Sequence, residues 1–190
     1  MKTIKVRRFS FRRSLILALV PLFVPALAAA ATVHGTTDAA VVWITAPDAV
    51  GPEHDAEMRN RNRTFIPPYV VIPVGSQVRF PNDDPFYHSI YSDSAADRFD
   101  IGYYGPGPGK LVTFNQPGVV NVRCHIHASM HANIIVADGP YALASNGTYS
   151  IANVPAGKHV VHAWDPDHGE RTATVNVPSA AADVTLDVKR

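Results

Sequence analysis

The sequence has a single cysteine, no helical periodicity and only one long apolar run. Cys124 is the one cysteine in 190 residues, so no disulfide can form within the chain. An inert buried thiol, an intermolecular bridge and a metal ligand remain open for it. No stretch shows the apolar spacing of an amphipathic helix or a coiled coil. The single cysteine therefore excludes a scaffold of disulfides within the chain. The G-x-S-x-G pattern of a serine hydrolase is also absent, so the sequence gives no support for that chemistry.

The apolar run lies near the N-terminus and has the order of a secretory signal peptide. The basic segment MKTIKVRRFSFRR precedes the apolar SLILALVPLFVPAL and the small residues ALAAAA. The apolar part is too short to span a bilayer, and two prolines interrupt it. We therefore expect residues 1–30 to be a leader, cleaved after Ala28, Ala30 or Ala31. A periplasmic or secreted protein without a permanent membrane anchor follows from this expectation.

Removal of the leader reverses the sign of the charge. The full chain has a formal net charge of +1, but the leader holds six basic residues and no acidic one. Eleven basic and sixteen acidic residues then remain, which gives a charge of about −5. Such a protein is not built for electrostatic binding to nucleic acid or to an anionic membrane.

Short runs rich in Val, Ile, Tyr and Phe fill the rest of the chain, separated by Pro and Gly. Examples are YVVIPVGSQVRFPN, KLVTFNQPGVVNVRC and GKHVVHAWDP. Strands bounded by turn residues at this spacing predict an all-β sandwich or barrel. The polar segment GPEHDAEMRNRNRTF lacks such a pattern and is expected to be a long connection. Turn residues gather in DGPYALASNG, so we expect one domain over 31–138 and a small β domain over 139–190 that packs against it.

The most informative stretch is NVRCHIHASM, which spaces Cys124, His127 and Met130 as C-x2-H-x2-M. A thiolate, an imidazole and a thioether are soft to borderline donors, and two histidines with one cysteine and a weak axial methionine form blue-copper sites. A strand ending at Cys124 followed by a tight loop would turn all three toward one ion. Exposed histidines are ordinary, so we expect His125 and His131 to face solvent.

The loop lacks one imidazole, which must come from another strand. His88 in FPNDDPFYHSIYS is the best candidate, because it follows a turn-rich stretch and opens a strand-like run. Asn82, just before it, is expected to form a hydrogen bond to the cysteine-bearing loop and to hold the site rigid. Three further histidines, in the C-terminal part, are interpreted as surface residues open to adventitious metal binding: His159, His162 and His168.

The ordered set G-x-x-V-x-F-x-N, then His, then C-x2-H-x2-M resembles the cupredoxins, over roughly residues 65–138. Within them it is most similar to the amicyanin-type short ligand loop and to small periplasmic methylamine-utilisation proteins. The resemblance implies a Greek-key β-sandwich with one type 1 copper per chain, and it implies four ligands: His88, Cys124, His127 and Met130. Many relatives carry Pro and an aromatic residue where this chain has Ala128 and Ser129, so we expect a site more open to water. The tail NGTYSIANVPAGKHVVHAWDPDHGE resembles small carboxypeptidase-regulatory-like β-sandwich domains, whose role is generally structural or in docking.

Three classes of function compete for this copper site. An electron carrier with a redox partner, such as a dehydrogenase or a cytochrome, fits a site without further catalytic groups. A copper-binding module for storage, delivery or sensing remains the alternative. A multicopper oxidase or nitrite reductase needs further histidine clusters, and the chain has only one H-x-H, at His125 and His127. The prediction is therefore a protein without enzymatic activity; zinc is disfavoured because methionine is a poor zinc ligand.

Overall fold

The computed structural model describes residues 30–179 and 183–189. The predicted leader lies outside these ranges, except for Ala30. The described residues form seventeen β-strands and one 3-10 helix, Pro47–Ala49, with no α-helix. None of the helical structure in these ranges has the length and apolar character needed to cross a membrane. The prediction of an all-β fold built of β-sandwich sheets is confirmed.

Ten consecutive strands form the first sandwich. Their bounds are β3 (Ala56–Glu57), β4 (Arg59–Arg61), β5 (Thr64–Ile66), β6 (Tyr69–Pro73), β7 (Gln77–Asn82), β8 (His88–Ser92), β9 (Phe99–Tyr104), β10 (Gly107–Thr113), β11 (Gly118–Cys124) and β12 (His131–Ala137). One sheet has the order β10-β7-β4-β5, with β3 also paired to β7, and the other has the order β6-β12-β11-β8-β9. The core between them includes Phe65, Phe80, Ile90 and Phe114, all fully buried.

Alternation along β11 explains why the cysteine points inward. Val120, Val122 and Cys124 are buried, whereas Asn121 and Arg123 between them are exposed. Successive side chains of a strand point to opposite faces of the sheet, so the two valines place Cys124 on the core face.

The remaining seven strands form a second sandwich. Their bounds are β1 (Ala30–Thr36), β2 (Val41–Ile44), β13 (Tyr141–Leu143), β14 (Thr148–Pro155), β15 (Gly157–Asp165), β16 (Gly169–Val177) and β17 (Val184–Thr185). Their sheets have the orders β14-β1-β17 and β13-β2-β15-β16. Buried Val33, Val42, Ile151 and Val161 contribute to its core.

The strand pairing groups the first strands with the end of the chain. β1 pairs with β14, and β2 lies between β13 and β15, so residues 30–44 belong to the sheets of the C-terminal segment and not to those of the predicted copper domain. All four side chains of β2 are buried, because Val42 and Ile44 face the second core while Val41 and Trp43 pack beside Ile135 of β12. The two sandwiches thus share an apolar contact.

The polar segment 51–65 also departs from the expected long connection. It contains β3 and β4 and the start of β5, with Arg59 paired to Ile66 across a hairpin. Met58 and Phe65 are fully buried, and Asn60 between them is buried as well. Two apolar anchors in a polar sequence were too few to produce a visible period, although they are enough to hold these short strands on the core.

Candidate metal centre

Two adjacent strands and the loop between β11 and β12 bring the predicted ligands together. His88 is the first residue of β8 and Cys124 is the last residue of β11, and these strands pair antiparallel with Cys124 opposite Ile90. The backbone N–H of His125 continues the pairing by donating to the Ser89 carbonyl at 2.9 Å. The chain then turns, with the Met130 N–H donating to the His127 carbonyl at 3.0 Å.

Three donor atoms converge at this point. Cys124 Sγ lies 3.7 Å from His88 Nδ1 and 3.9 Å from His127 Nδ1. One ligand atom from each of these residues lies within 4.8 Å of the others, and no other such group of His, Cys, Asp or Glu occurs in the described residues. The structure therefore assembles the thiol and both imidazoles that the sequence selected, each imidazole through Nδ1.

Met130 lies in the same loop and packs into the first core. Its side chain is 2 % exposed and belongs to the same buried cluster as Cys124. On this side of the loop a cleft of about 660 Å³ is lined in part by Cys124, Ala128 and Met130. The small side chain of Ala128 thus lines a cleft that reaches the site. This is the position at which the sequence predicts greater access for water. Cys124 itself is only 4 % exposed.

Aromatic packing fixes the two imidazole rings. The ring centroids of His88 and His127 are 4.9 Å apart, and Phe86 packs on both, at 5.5 Å and 5.4 Å. Arg63 Cζ lies 5.1 Å from the centroid of the Phe86 ring. A cation therefore covers the ring that contacts both histidines. Phe86 was not among the residues selected from the sequence, since a single aromatic residue in a turn carries no distinguishing pattern.

The electrostatics of the site favour neutral His127. Burial lowers the pKa of His127, and nearby positive charge, including that of Arg63, lowers it further. A metal ligand must present an unprotonated nitrogen, so a depressed pKa suits this role.

Asn82 does not make the hydrogen bond expected of it. Its Nδ2 donates to the Phe86 carbonyl at 2.8 Å, and its Oδ1 accepts from the Asp84 N–H at 3.0 Å. The residue sits at the end of β7, where its side chain meets the turn that follows it before it can reach the cysteine-bearing loop. It thus stabilises the turn that leads to His88.

The carboxylate beside His88 is Asp84, which the sequence analysis missed. Asp84 Oδ2 lies 3.0 Å from His88 Nε2, and both side chains are almost completely buried. Burial raises the pKa of Asp84, but hydrogen bonds from the backbone N–H groups of Arg63 and Asn62 and from His88 outweigh it, and the pKa lies below its ordinary value. A carboxylate four residues before a candidate ligand is the signal that could have identified it.

The remaining histidines have other partners. His125 is stacked on Tyr91, with centroids 3.8 Å apart, and its Nε2 lies 3.2 Å from Asp100 Oδ2. His131 is exposed, as predicted. In the second sandwich His162 lies 2.6 Å from Glu170, and both ring nitrogens of His159 face backbone carbonyls, so these two side chains are more enclosed than the sequence suggested.

No family model matches the chain, and no curated protein matches it. Solved structures do show likenesses. The Cu-containing nitrite reductase NirK from Thermus scotoductus SA-01 is 28 % identical over 44 % of this chain and 22 % of its own, with a TM-score of 0.41. The chain therefore spans about a fifth of the length of that enzyme.

Two smaller solved proteins align over most of their own length. A purple cupredoxin from Nitrosopumilus maritimus is 22 % identical over 43 % of this chain and 99 % of its own, with a TM-score of 0.40. Amicyanin from Paracoccus versutus is 20 % identical over 50 % of this chain and 96 % of its own, with a TM-score of 0.41. At these TM-scores the likenesses decide nothing about chemistry, which must be argued from the residues of the site.

Proposed function

We propose that this chain is an exported type 1 copper protein that carries single electrons between redox partners. The observation that carries the proposal is the convergence of Cys124 Sγ with Nδ1 of His88 and Nδ1 of His127, at 3.7 Å and 3.9 Å. Met130, in the same loop, supplies the thioether expected of a weak fourth ligand.

The donor set fits copper better than the alternatives. Thiolate and thioether sulfurs are soft donors, and two histidines with one cysteine and a methionine are the set used by blue-copper sites. Zinc prefers a closed set of four strong ligands, to which methionine does not belong. Copper bound by these residues would supply a one-electron couple between Cu(II) and Cu(I).

The chain itself contributes rigidity. His88, Cys124 and Met130 are each at most 4 % exposed, and Phe86 holds the rings of both histidines. Ligands fixed by packing cannot rearrange freely between two oxidation states, which keeps the reorganisation small. This property favours an electron carrier over a protein that must open to release its metal.

The partner that we propose is another redox protein, such as a dehydrogenase or a cytochrome. Two apolar side chains that adjoin the imidazole ligands in sequence are exposed: Tyr87, beside His88, is 61 % exposed, and Ile126, beside His127, is 41 % exposed. Contiguous exposed apolar patches mark protein interaction sites, and we propose that these two side chains belong to one. We also propose that the second sandwich, grouped by the strand pairing, serves as a structural or docking domain of the regulatory-like type.

Export is the remaining part of the proposal. Cleavage after Ala28 would leave β1 complete, because this strand begins at Ala30 and pairs there with Pro155. Mass spectrometry of native material should show a chain that starts between positions 29 and 32. An intact N-terminal methionine in that material would refute export by a cleaved leader.

Metal counting together with voltammetry tests the carrier role. We expect one copper per chain and a fast, reversible one-electron couple. Several tightly bound copper ions, or the absence of a reversible couple, would instead favour storage, delivery or sensing of copper.

A further inference from the structure

The carboxylate of Asp84 joins the candidate metal centre to a turn in the opposite sheet. Its side chain is buried and has three hydrogen-bond partners. Oδ1 accepts from the backbone N–H of Asn62 at 2.6 Å, and Oδ2 accepts from the N–H of Arg63 at 3.0 Å. The same Oδ2 lies 3.0 Å from Nε2 of His88. One buried group thus contacts both a hairpin turn and a candidate ligand.

The turn is an unusual one for its sequence. Asn62 and Arg63 connect β4 to β5, and their φ angles are +54° and +55°. Positive φ at both central residues is the mirror-image hairpin turn, which favours glycine at the second position and disfavours a residue such as arginine. Two charge-assisted hydrogen bonds to a buried carboxylate offset this conformational cost. The turn therefore holds Asp84 in place, and Asp84 holds the turn.

The proton on His88 follows from the donors and acceptors. An ionised carboxylate only accepts hydrogen bonds, and a neutral imidazole carries one N–H and one bare nitrogen. Among the described residues, Asp84 is the hydrogen-bond partner of Nε2, so Nε2 carries the proton. Nδ1 is then bare, and this is the atom that faces Cys124 Sγ at 3.7 Å.

We infer that Asp84, held by the backbone of the Asn62–Arg63 turn, is the positioning residue that fixes the tautomer of His88 and prepares its Nδ1 to bind metal. This inference rests on the function proposed above. The β4–β5 hairpin contributes no candidate ligand, but through Asp84 it helps to hold His88 in the tautomer that can bind metal.

Replacement of Asp84 by asparagine separates shape from hydrogen bonding. The amide has nearly the same size, but its nitrogen only donates. In Asp84→Asn, only one side-chain oxygen remains for the three groups that the carboxylate contacts. The amide nitrogen must point either at the Asn62 N–H, or at the Arg63 N–H and His88 Nε2. The favourable outcome for the amide is to donate to Nε2, which moves the ring proton to Nδ1 and blocks the metal-binding nitrogen.

Nitrogen NMR of the metal-free protein reads this tautomer directly. The measurement is made near pH 8, above the ordinary histidine pKa of about 6.5. We expect His88 of the wild type to carry its proton on Nε2, and His88 of Asp84→Asn to carry it mainly on Nδ1. Copper affinity, measured by competition with a chelator, should fall roughly 10- to 100-fold in this variant.

Two control variants isolate the cause. Asp83→Asn alters the neighbouring carboxylate, which binds Arg59 at 2.8 Å, and it should leave the tautomer and the copper affinity unchanged. The double variant Asn62→Gly, Arg63→Gly keeps both backbone donors and suits the positive φ angles. It should also retain the wild-type tautomer, since the backbone and not these side chains holds Asp84.

The outcomes separate this inference from the proposed function. A proton on Nδ1 of His88 in the wild type overturns the inference, even if Asp84→Asn fails to fold. The wild-type tautomer and copper affinity retained in a folded Asp84→Asn variant overturn it as well. If the wild-type tautomer is as expected but Cu(II) gives no thiolate band, the tautomer assignment to Asp84 stands and the copper function fails.

Discussion

Substitution of Met130 by leucine and by alanine separates its packing from its role as a ligand. Met130 is 2 % exposed and packs in the core that contains Cys124. Leucine nearly conserves the volume, so the free energy of unfolding of the metal-free protein should fall by less than about 1.5 kcal/mol. Alanine leaves a cavity and should lower it by about 2–5 kcal/mol. In a chain of this length about 1 kcal/mol corresponds to 2–4 °C, so the Tm should fall by less than about 6 °C for leucine and by about 4–20 °C for alanine.

The effect on copper should follow a different order. Met130→Leu retains the thiolate and both imidazoles, so copper should stay bound. Its reduction potential should change, because the weak axial ligand mainly tunes a blue-copper site. Thermal unfolding of the metal-free variants and voltammetry of the loaded ones measure the two effects. Complete loss of copper from Met130→Leu at a nearly unchanged Tm would contradict a weak axial role, and an unchanged potential would show that Met130 is no ligand.

Three further predictions concern the thiol, the contact between the sandwiches and acid stability. Cys124→Ala should give no thiolate band with Cu(II) while circular dichroism shows the β-fold retained; a wild-type band in this variant would eliminate Cys124 as a ligand. Trp43 is 1 % exposed, so Trp43→Ala should lower the free energy of unfolding by about 3–5 kcal/mol in denaturant titrations. A loss below about 1 kcal/mol would show that the contact between the sandwiches contributes little to stability. The side-chain and backbone donors of Thr36 hold the pKa of Asp187 below 3.8, so its stabilisation is present above that pH and is lost as pH falls through the lower folded pKa. The stability difference between wild type and Asp187→Asn should therefore narrow below about pH 4, and a difference independent of pH would refute this linkage.

The candidate ligand loop was predictable because its information is local. Cys124, His127 and Met130 lie within seven residues, and the spacing of their donor types indicates a metal site without knowledge of the sheets. His88 was predictable from the need for a second imidazole and from its place at the start of a strand-like run. The structure brings its Nδ1 to 3.7 Å from the thiol, through a pairing of β8 with β11 that no local pattern specifies.

Features that depend on distant pairing were not predictable in the same way. β2 reads as an ordinary apolar strand, and nothing local shows that it lies between β13 and β15 near the end of the chain. The turn at Asn62 and Arg63 lacks the glycine that usually marks such a hairpin, because Asp84, more than twenty residues later, stabilises it. Asn82 was assigned to the wrong partner for a related reason, since an asparagine that caps its own turn looks the same in sequence as one that bridges two loops.

The visible spectrum of the copper-loaded protein tests the central claim most directly. If the thiolate of Cys124 and the imidazoles of His88 and His127 bind one Cu(II), the oxidised protein should show an intense thiolate-to-Cu(II) band. The band should disappear on reduction and return on reoxidation, at one copper per chain. A Cu(II) complex without such a band, or a band that persists on reduction, would contradict the account.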